Sequence, residues 1–276
     1  MCDAHTQIPS LTHESLMSTT KTFKDISPSA LYYNKEVTTN KQTQARNVYV
    51  STQQGSTDPA HKLVFQMAVF DTDMLRAPYG VSEPYGGGNQ QSDSNRRELG
   101  LSIDSDALLD FMGRLDQANK QAAVDNAPEW WKKPLSTAEV EAFYSPLIKP
   151  STNPERYRPT AKTKLILDGP NATSIWSVVQ DKPADAHGPA AILEYKPATI
   201  QDVTPGCKVM AIVQTSGLWF MGKTSFGMSL VVTHLLVWPR RQNRGIEAFM
   251  LPGGGVPKCV SAAAPAAPLD DEDMVY

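Results

Sequence analysis

The sequence is poor in the residues that build metal sites, disulfide frameworks and membrane spans. Its three cysteines, Cys2, Cys207 and Cys259, are scattered and odd in number, and none of its five histidines lies at metal-ligand spacing from another. No apolar run approaches the length that spans a bilayer, and residues 1–9 lack the basic-then-apolar order of a signal peptide. We therefore expect an intracellular protein without a metal, a cofactor or a membrane contact.

A strong excess of positive charge is also missing. The sequence has 26 Lys and Arg residues against 29 Asp and Glu residues, which gives a net charge of −3. Four of the acids lie within the last seven residues, D-D-E-D-M-V-Y, so the rest of the chain carries a net charge of +1. A body so close to neutral counts modestly against tight binding to duplex DNA.

Signals for catalysis are few, and the strongest is the octet at residues 217–224, G-L-W-F-M-G-K-T. It matches the phosphate-loop pattern G-x-x-x-x-G-K-[ST], but its variable positions hold four bulky residues where a phosphate loop needs small or polar ones. The run after it, S-L-V-V-T-H-L-L-V-W, predicts a strand rather than the helix N-terminus that helps to hold phosphate. We therefore predict a hairpin with a strand at 208–215, a turn at Ser216 and Gly217, and a strand carrying Trp219.

Hydrophobic periodicity predicts a β-rich α+β body, residues 26–251, with disordered ends. Residues 1–25 form a polar, flexible arm, and residues 252–276 form a Gly/Pro/Ala tether with an acidic tip. A helical insertion covers about 105–145, with one helix from Ser105 or Asp106 to about Ala123 and a second one capped by Ser136 and Glu139. Strand patterns lie from residue 45 onward and at 62–70, 97–103, 162–168, 174–180, 208–215, 218–221, 228–238 and 246–251.

Aromatic and basic residues cluster in four places, at 130–133, 156–164, 219–223 and 238–244. Single-stranded nucleic acid is held by basic grooves that follow the phosphates and by aromatic faces on which bases stack. The other interpretation is that the tryptophans anchor the core and the cations are solvated. The candidate stacking residues are Trp130, Tyr157, Trp219 and Phe220. The candidate phosphate contacts are Arg96, Arg97, Lys132, Lys133, Arg156, Arg158, Lys162, Lys164 and Lys223.

Two segments carry a family resemblance. Residues 130–165 begin with a Trp pair and contain Tyr144-Ser145-Pro146 and a Tyr-x-Pro-x-x-Lys-x-Lys run from Tyr157, and residues 217–227 carry a G-x-W-F…F-G pattern. These features resemble the OB-fold single-stranded DNA-binding proteins of short-tailed bacteriophages and nucleocytoplasmic large DNA viruses. The resemblance implies an OB-fold-like barrel and non-catalytic binding of single-stranded DNA in replication, recombination or repair. The resemblance also implies that the protein acts in the nucleus or at a viral replication site. Assembly of the chain into a homo-oligomer is compatible with it.

The acidic tip adds a second prediction. A flexible poly-acid mimics nucleic-acid phosphate, so it can occupy the protein's own basic groove or dock on replication or recombination proteins. The residues of this tail are Asp270, Asp271, Glu272, Asp273 and Tyr276.

Two other functions remain open at this stage. The first is a structural or interaction protein of the virion type, which predicts a buried Trp130, a buried Trp219 and no continuous basic groove. The second is a nucleotide hydrolase that uses residues 217–224.

Overall fold

The computed structural model describes residues 20–41, 44–69, 74–82, 95–181 and 193–239. These residues belong to one compact unit, residues 1–240. The possible last strand at 246–251, the tether and the acidic tail lie outside the described residues. The helices are α1 (Asp106–Asp125), α2 (Ala127–Trp131) and α3 (Thr137–Phe143). The strands are β1 (Tyr32–Thr39), β2 (Arg46–Ser51), β3 (Val64–Gln66), β4 (Leu75–Ala77), β5 (Arg96–Ser102), β6 (Tyr144–Ser145), β7 (Ile148–Lys149), β8 (Thr160–Ile166), β9 (Ser174–Asp181), β10 (Leu193–Pro197), β11 (Cys207–Met221) and β12 (Ser225–Trp238).

The hairpin of β11 and β12 is the centre of the sheet. Both strands are rich in β-branched and aromatic residues, and buried and exposed side chains largely alternate along them. The free edge of β11 pairs in turn with β4, β3 and β2, all antiparallel. The free edge of β12 pairs in turn with β6, β8 and β9, all parallel. Two long strands therefore organise most of the other strands.

Five strands close into a ring. The ladder runs from β11 to β4, β5, β8 and β12, and β12 pairs with β11 again. Leucine, valine and alanine side chains fill the inner face, among them Leu99, Leu101, Leu165, Val209 and Leu230. The alternation of side chains along each strand sends the intervening residues outward, so the ring has a buried inside and a solvated outside.

The helical insertion packs on the side of the sheet where the hairpin turns. The Ser105 hydroxyl caps α1 by accepting a hydrogen bond from the N–H of Leu108 at 3.3 Å. Phe111 of α1 packs edge-on against Phe65 of β3, with ring centroids 5.2 Å apart. Trp131 of α2 packs against Phe226 of β12 at 5.2 Å. This confirms the predicted insertion, which ends at Phe143. None of the helices in the described ranges has the length and apolarity needed to span a membrane.

A buried polar chain ties α1 to β1, to β6 and to the segment between β6 and β7. Tyr144 donates from its hydroxyl to Asp116 Oδ1 at 2.6 Å, and Asn119 Nδ2 donates to the Tyr144 oxygen at 2.9 Å. Tyr33 of β1 donates to Asn119 Oδ1 at 2.8 Å, and the N–H of Leu147 donates to both Asp116 oxygens at 3.2 Å. Burial raises the pKa of the Asp116 carboxyl, and the Tyr144 and Leu147 hydrogen bonds act in the opposite direction.

Several sequence predictions need correction. The turn expected at Ser216 and Gly217 is a bulge inside the continuous strand β11, and the chain reverses later, at residues 222–224. The strand expected at 62–70 is reduced to Val64–Gln66. The arm expected at 1–25 is described from Thr20, and Phe23 is already in the core with 2% exposure. Strands β1, β4, β6, β7 and β10 were not predicted from the sequence.

Candidate nucleic-acid interface

The outer surface of β5 and β8 carries cations from both strands. Glu98 lies opposite Lys164, and Gly100 lies opposite Lys162. These residues alternate with buried Leu99, Leu101, Ala161 and Leu165, so their side chains point outward. We call this surface the β5–β8 face, made of Arg96, Glu98, Gly100, Lys162 and Lys164.

One cation of the β5–β8 face, Lys162, has an exposed carboxylate partner. Lys162 Nζ lies 3.4 Å from Glu98 Oε2, and both side chains are more than half exposed. An exposed pair of this kind contributes little to stability, so a ligand phosphate can compete for the lysine at low cost. A Cβ built on Gly100 would meet no atom within 4 Å. The missing side chain leaves room for a polymer backbone to approach the sheet between the cations.

A loop with an exposed aromatic residue adjoins this face. Tyr157 is 57% exposed, and the Arg156 guanidinium lies 5.7 Å from the centroid of its ring. Arg158 Nε lies 3.7 Å from Asp104 Oδ1. The N–H of Ile103 donates to the Pro159 carbonyl at 3.0 Å, which ties the end of the loop to the residue after β5. The structure therefore brings Arg156, Tyr157 and Arg158 beside the β5–β8 face.

Trp130 and Phe220 are core residues, contrary to their predicted role as stacking groups. Trp130 has no exposed surface, and its indole N–H donates to the Asn34 carbonyl at 3.1 Å. Phe220 is 6% exposed, with its ring centroid 5.8 Å from that of Trp130 and 5.0 Å from that of Trp131. A base cannot reach either ring without unpacking the helical insertion.

Trp219 points away from the Phe220 cluster and is half-buried. A Cβ built on Gly227 would lie 2.9 Å from Trp219 Cζ2, so the indole lies directly against the backbone of β12. Lys223 is exposed in the turn that joins β11 to β12. Trp219 and Lys223 therefore stay candidates, at the turn end of the hairpin.

The remaining predicted cations are spread over the surface. Lys132 ends α2 with φ at 62°, and Lys133 Nζ lies 3.7 Å from Glu139 Oε1, so both belong to the helical insertion. Arg97 falls in the inward-facing phase of β5, and its Nη1 donates to the Arg96 carbonyl at 2.9 Å. Of the predicted cations on strands, only Arg96, Lys162 and Lys164 share one outer face.

Two cations on neighbouring strands were missed by the sequence analysis. Arg76 is the outward residue of β4, between buried Leu75 and Ala77, and Lys208 is exposed on β11 directly opposite it. Their signal in the sequence is a single cation inside a short apolar triplet and a lysine at the start of a strand. Neither is distinctive before the strand order is known.

The octet at 217–224 has the geometry of a strand and a turn. Residues up to Met221 continue β11, and Ser225 begins β12 without a helix between them. The turn therefore leads directly into a strand and not into a helix N-terminus, so the loop cannot hold phosphate in the manner of a phosphate-binding loop. Within the described ranges, no three His, Cys, Asp or Glu side chains group closely enough to hold a metal ion.

Comparison with known proteins gives distant structural neighbours. No protein-family model matches the chain, and no curated protein matches it. It is similar to the single-stranded DNA-binding protein of bacteriophage Enc34, with a TM-score of 0.36 and 9% identity over 78% of this chain and 96% of that chain. The same phage protein in complex with single-stranded DNA gives a TM-score of 0.37 and 10% identity, over 77% and 99%. The single-stranded DNA-binding protein gp2.5 of bacteriophage T7 gives a TM-score of 0.41 and 15% identity, over 68% and 98%.

The neighbours are thus phage single-stranded DNA-binding proteins, at low identity and low TM-score. Likeness at this level does not carry an assignment of function.

Proposed function

We propose that this chain is a non-catalytic single-stranded DNA-binding protein built on an OB-type barrel, the closed ring of β4, β5, β8, β12 and β11. The observation that carries the proposal is the β5–β8 face, where Arg96 of β5 and Lys162 and Lys164 of β8 share one outer face beside an exposed tyrosine. OB folds bind oligonucleotides on the face of adjacent barrel strands and on the loops around it.

The residues of this face and of the adjoining loop have different roles in binding. Arg96, Lys162 and Lys164 contact phosphates, and Gly100 lets the nucleic-acid backbone approach the sheet. Tyr157 stacks on a base, and the Arg156 guanidinium supports its ring from one side. One such stack contributes roughly 1–3 kcal/mol to binding and tolerates any base. Because few cations take part, the binding depends on stacking more than on charge.

The test is a titration of fluorescein-labelled oligo-dT followed by anisotropy at two salt concentrations. Replacing Lys162 and Lys164 together by Gln weakens binding at low salt and lowers the slope of log K against log salt by about 1.4, or about 0.7 per phosphate contact. Tyr157→Ala weakens binding at both salt concentrations, and Tyr157→Phe restores it because the ring is kept. Lys35→Gln, on the edge strand β1, is the matched control and leaves binding unchanged.

Two results contradict the proposal. One is the absence of binding to oligo-dT by the unmodified chain at low salt. The other is binding that is equally tight in the Lys162, Lys164 and Tyr157 variants. Competition with duplex DNA and RNA of the same length measures the strand preference, and we expect single-stranded DNA to compete best.

The wider role follows from the same chemistry and is also proposed. A protein that coats exposed strands acts in replication, recombination or repair, inside the cell in the nucleus or at a viral replication site. The acidic tail, Asp270, Asp271, Glu272, Asp273 and Tyr276, recruits partner proteins through their basic patches. A pull-down of replication proteins with the full chain and with a chain lacking residues 270–276 tests the recruitment.

A second candidate is a structural or interaction protein, and the burial of Trp130 favours it. This function needs contact surfaces, and Tyr32 on β1 and Tyr195 on β10 are exposed on the two outermost strands of the sheet. It predicts that the chain assembles with copies of itself and ignores single-stranded DNA. Light scattering with and without oligo-dT separates the two candidates.

A further inference from the structure

A second concave site lies on the outside of the ring, beyond the β5–β8 face. It encloses about 590 Å³ and is lined by Arg76, Pro78, Ser102, Gly206, Cys207, Lys208, Trp238 and Pro239. Two cations and one indole border the same hollow. Burial raises the pKa of the Cys207 thiol to about 11, so the cysteine stays protonated at neutral pH and acts as a small apolar wall.

Four of the lining side chains form a line across four strands. Ser102 of β5 is opposite Arg76 of β4, Arg76 is opposite Lys208 of β11, and Lys208 is opposite Trp238 of β12. We call this line the Arg76–Trp238 row. Side chains directly opposite each other on neighbouring strands have Cβ atoms roughly 5 Å apart, so the four side chains of the row are close neighbours. The row begins at Ser102, the last residue of β5.

A carboxylate holds the cations at the start of the row. Arg76 Nε lies 3.8 Å from Asp104 Oδ2, and Arg158 Nε lies 3.7 Å from Asp104 Oδ1. The Arg76 and Arg158 side chains are still 54% and 56% exposed. Arg158 belongs to the loop of Tyr157, so Asp104 connects the row to the loop that borders the β5–β8 face. The two arginines and Asp104 together carry one net positive charge, which suits the approach of a phosphate.

We propose that the Arg76–Trp238 row is a second subsite for single-stranded DNA, in which Arg76 and Lys208 contact phosphate and Trp238 stacks on a base. The proposal rests on the single-stranded DNA binding proposed above and adds a path for the DNA across the barrel surface. The nucleic acid leaves the β5–β8 face at Ser102, passes the Arg158 loop and crosses β4 and β11 to reach β12. A ligand short enough to occupy one face does not reach the row.

Oligonucleotide length separates the two subsites. The test uses labelled oligo-dT of about 4 and about 16 nucleotides, the two ends of the range for one OB fold. Replacing Arg76 and Lys208 together by Gln weakens binding of the long oligonucleotide by about tenfold or more and leaves the short one unchanged. The salt slope for the long oligonucleotide falls by about 1.4, for two lost phosphate contacts. Lys35→Gln again serves as the control with one cation removed elsewhere.

Trp238 is tested by a conservative pair and by chemistry on the unmodified chain. Trp238→Leu weakens binding of the long oligonucleotide by about 5- to 150-fold, and Trp238→Phe restores most of it, because one stack is lost in the first variant and kept in the second. Photo-crosslinking of the unmodified chain to 4-thiothymidine in the long oligonucleotide gives an adduct on Trp238 or its lining neighbours. The crosslinking experiment tests the contact between Trp238 and DNA even if the Trp238→Leu variant does not fold.

The outcomes are distinct for the two proposals. Unchanged binding of the long oligonucleotide in the Arg76 and Lys208 variant, or crosslinks confined to the β5–β8 face, overturns the second subsite and leaves the proposed function standing. A chain that binds neither oligonucleotide overturns both. Weakened binding of the short oligonucleotide by the row variants also contradicts the proposal, because the two subsites would then be one.

Discussion

At the residue scale, neighbouring aromatic residues on one strand have opposite roles. Phe220 points into the cluster of Trp130 and Trp131, whereas Trp219 lies on the outside against Gly227. The alternation of side chains along a strand accounts for the difference, since successive residues face opposite sides. The sequence analysis named both residues as candidate stacking groups, and the structure separates them.

Trp130→Ala and Trp219→Ala should therefore separate stability from binding. Trp130→Ala removes a fully buried side chain and leaves the Asn34 carbonyl without its indole donor, so the free energy of unfolding should fall by about 3–5 kcal/mol. Trp219→Ala should cost clearly less, because the Trp219 side chain is only partly buried. Urea denaturation of both variants measures the difference. Equal losses of stability would show that Trp219 is also a core residue.

Asp116 predicts a dependence of stability on pH. Burial raises its pKa in the folded chain above the unfolded value of about 3.9, so the folded chain binds the proton more tightly in this window. The stability that this group contributes is present below about pH 3.9 and is lost as the pH rises through the folded pKa. The free energy of unfolding of the unmodified chain minus that of Asp116→Asn should therefore decrease over that window. A difference that grows with pH contradicts the raised pKa.

The candidate site was partly predictable at this scale. Lys162 and Lys164 lie two residues apart in a strand pattern, so a shared face follows from alternation. Arg76 was missed because its strand has three residues and gives no periodic signal. The burial of Trp130 could not be predicted from its neighbours in sequence alone, because it also contacts Asn34 and Phe220, which are distant along the chain.

At the element scale, the β11–β12 hairpin shows why a turn signal was misplaced. The sequence prediction took Gly217 as the sign of a turn, because glycine readily adopts the left-handed backbone that many turns need. Gly217 does have this backbone, with φ at 89°. In the structure one extra residue at Ser216 and Gly217 makes a bulge, after which β11 pairs with β2. The existence of both strands was predictable, but the bulge depends on β2, which local sequence does not contain.

Gly217→Ala should be the most damaging of the glycine substitutions in this hairpin. A Cβ there would collide with the Val48 carbonyl of β2, and the backbone would also be strained at this φ. We expect a loss of roughly 1–3 kcal/mol in the free energy of unfolding or more, measured by urea denaturation. Gly222→Ala is the control, because its φ is also positive but a Cβ meets no atom within 4 Å. Equal losses in the two variants would mean that the contact with β2 is unimportant.

At the scale of the whole molecule, the ring could not be predicted from the sequence. Its closure requires β8 to pair in parallel with the middle of β12, and the whole segment from β9 to β11 lies between them in the chain. The helical insertion was predictable because its helices carry local capping and periodicity signals, such as the capping box of Ser136 and Glu139. Local signals thus gave the helices and part of the strands, and non-local pairing decided their arrangement.

The charge of the whole chain predicts the effect of the acidic tail. Deleting residues 270–276 changes the net charge from −3 to +1 and removes an acidic segment that, on our proposal, competes with DNA for the basic surface. We expect the shortened chain to bind oligo-dT more tightly at low salt, as measured by fluorescence anisotropy. The gain should disappear near 1 M salt, where the Debye length is about 3 Å. A variant with the four tail acids changed to Asn and Gln keeps the tail's length and should behave like the deletion. Tighter binding by the deletion alone would assign the effect to the bulk of the tail rather than to its charge.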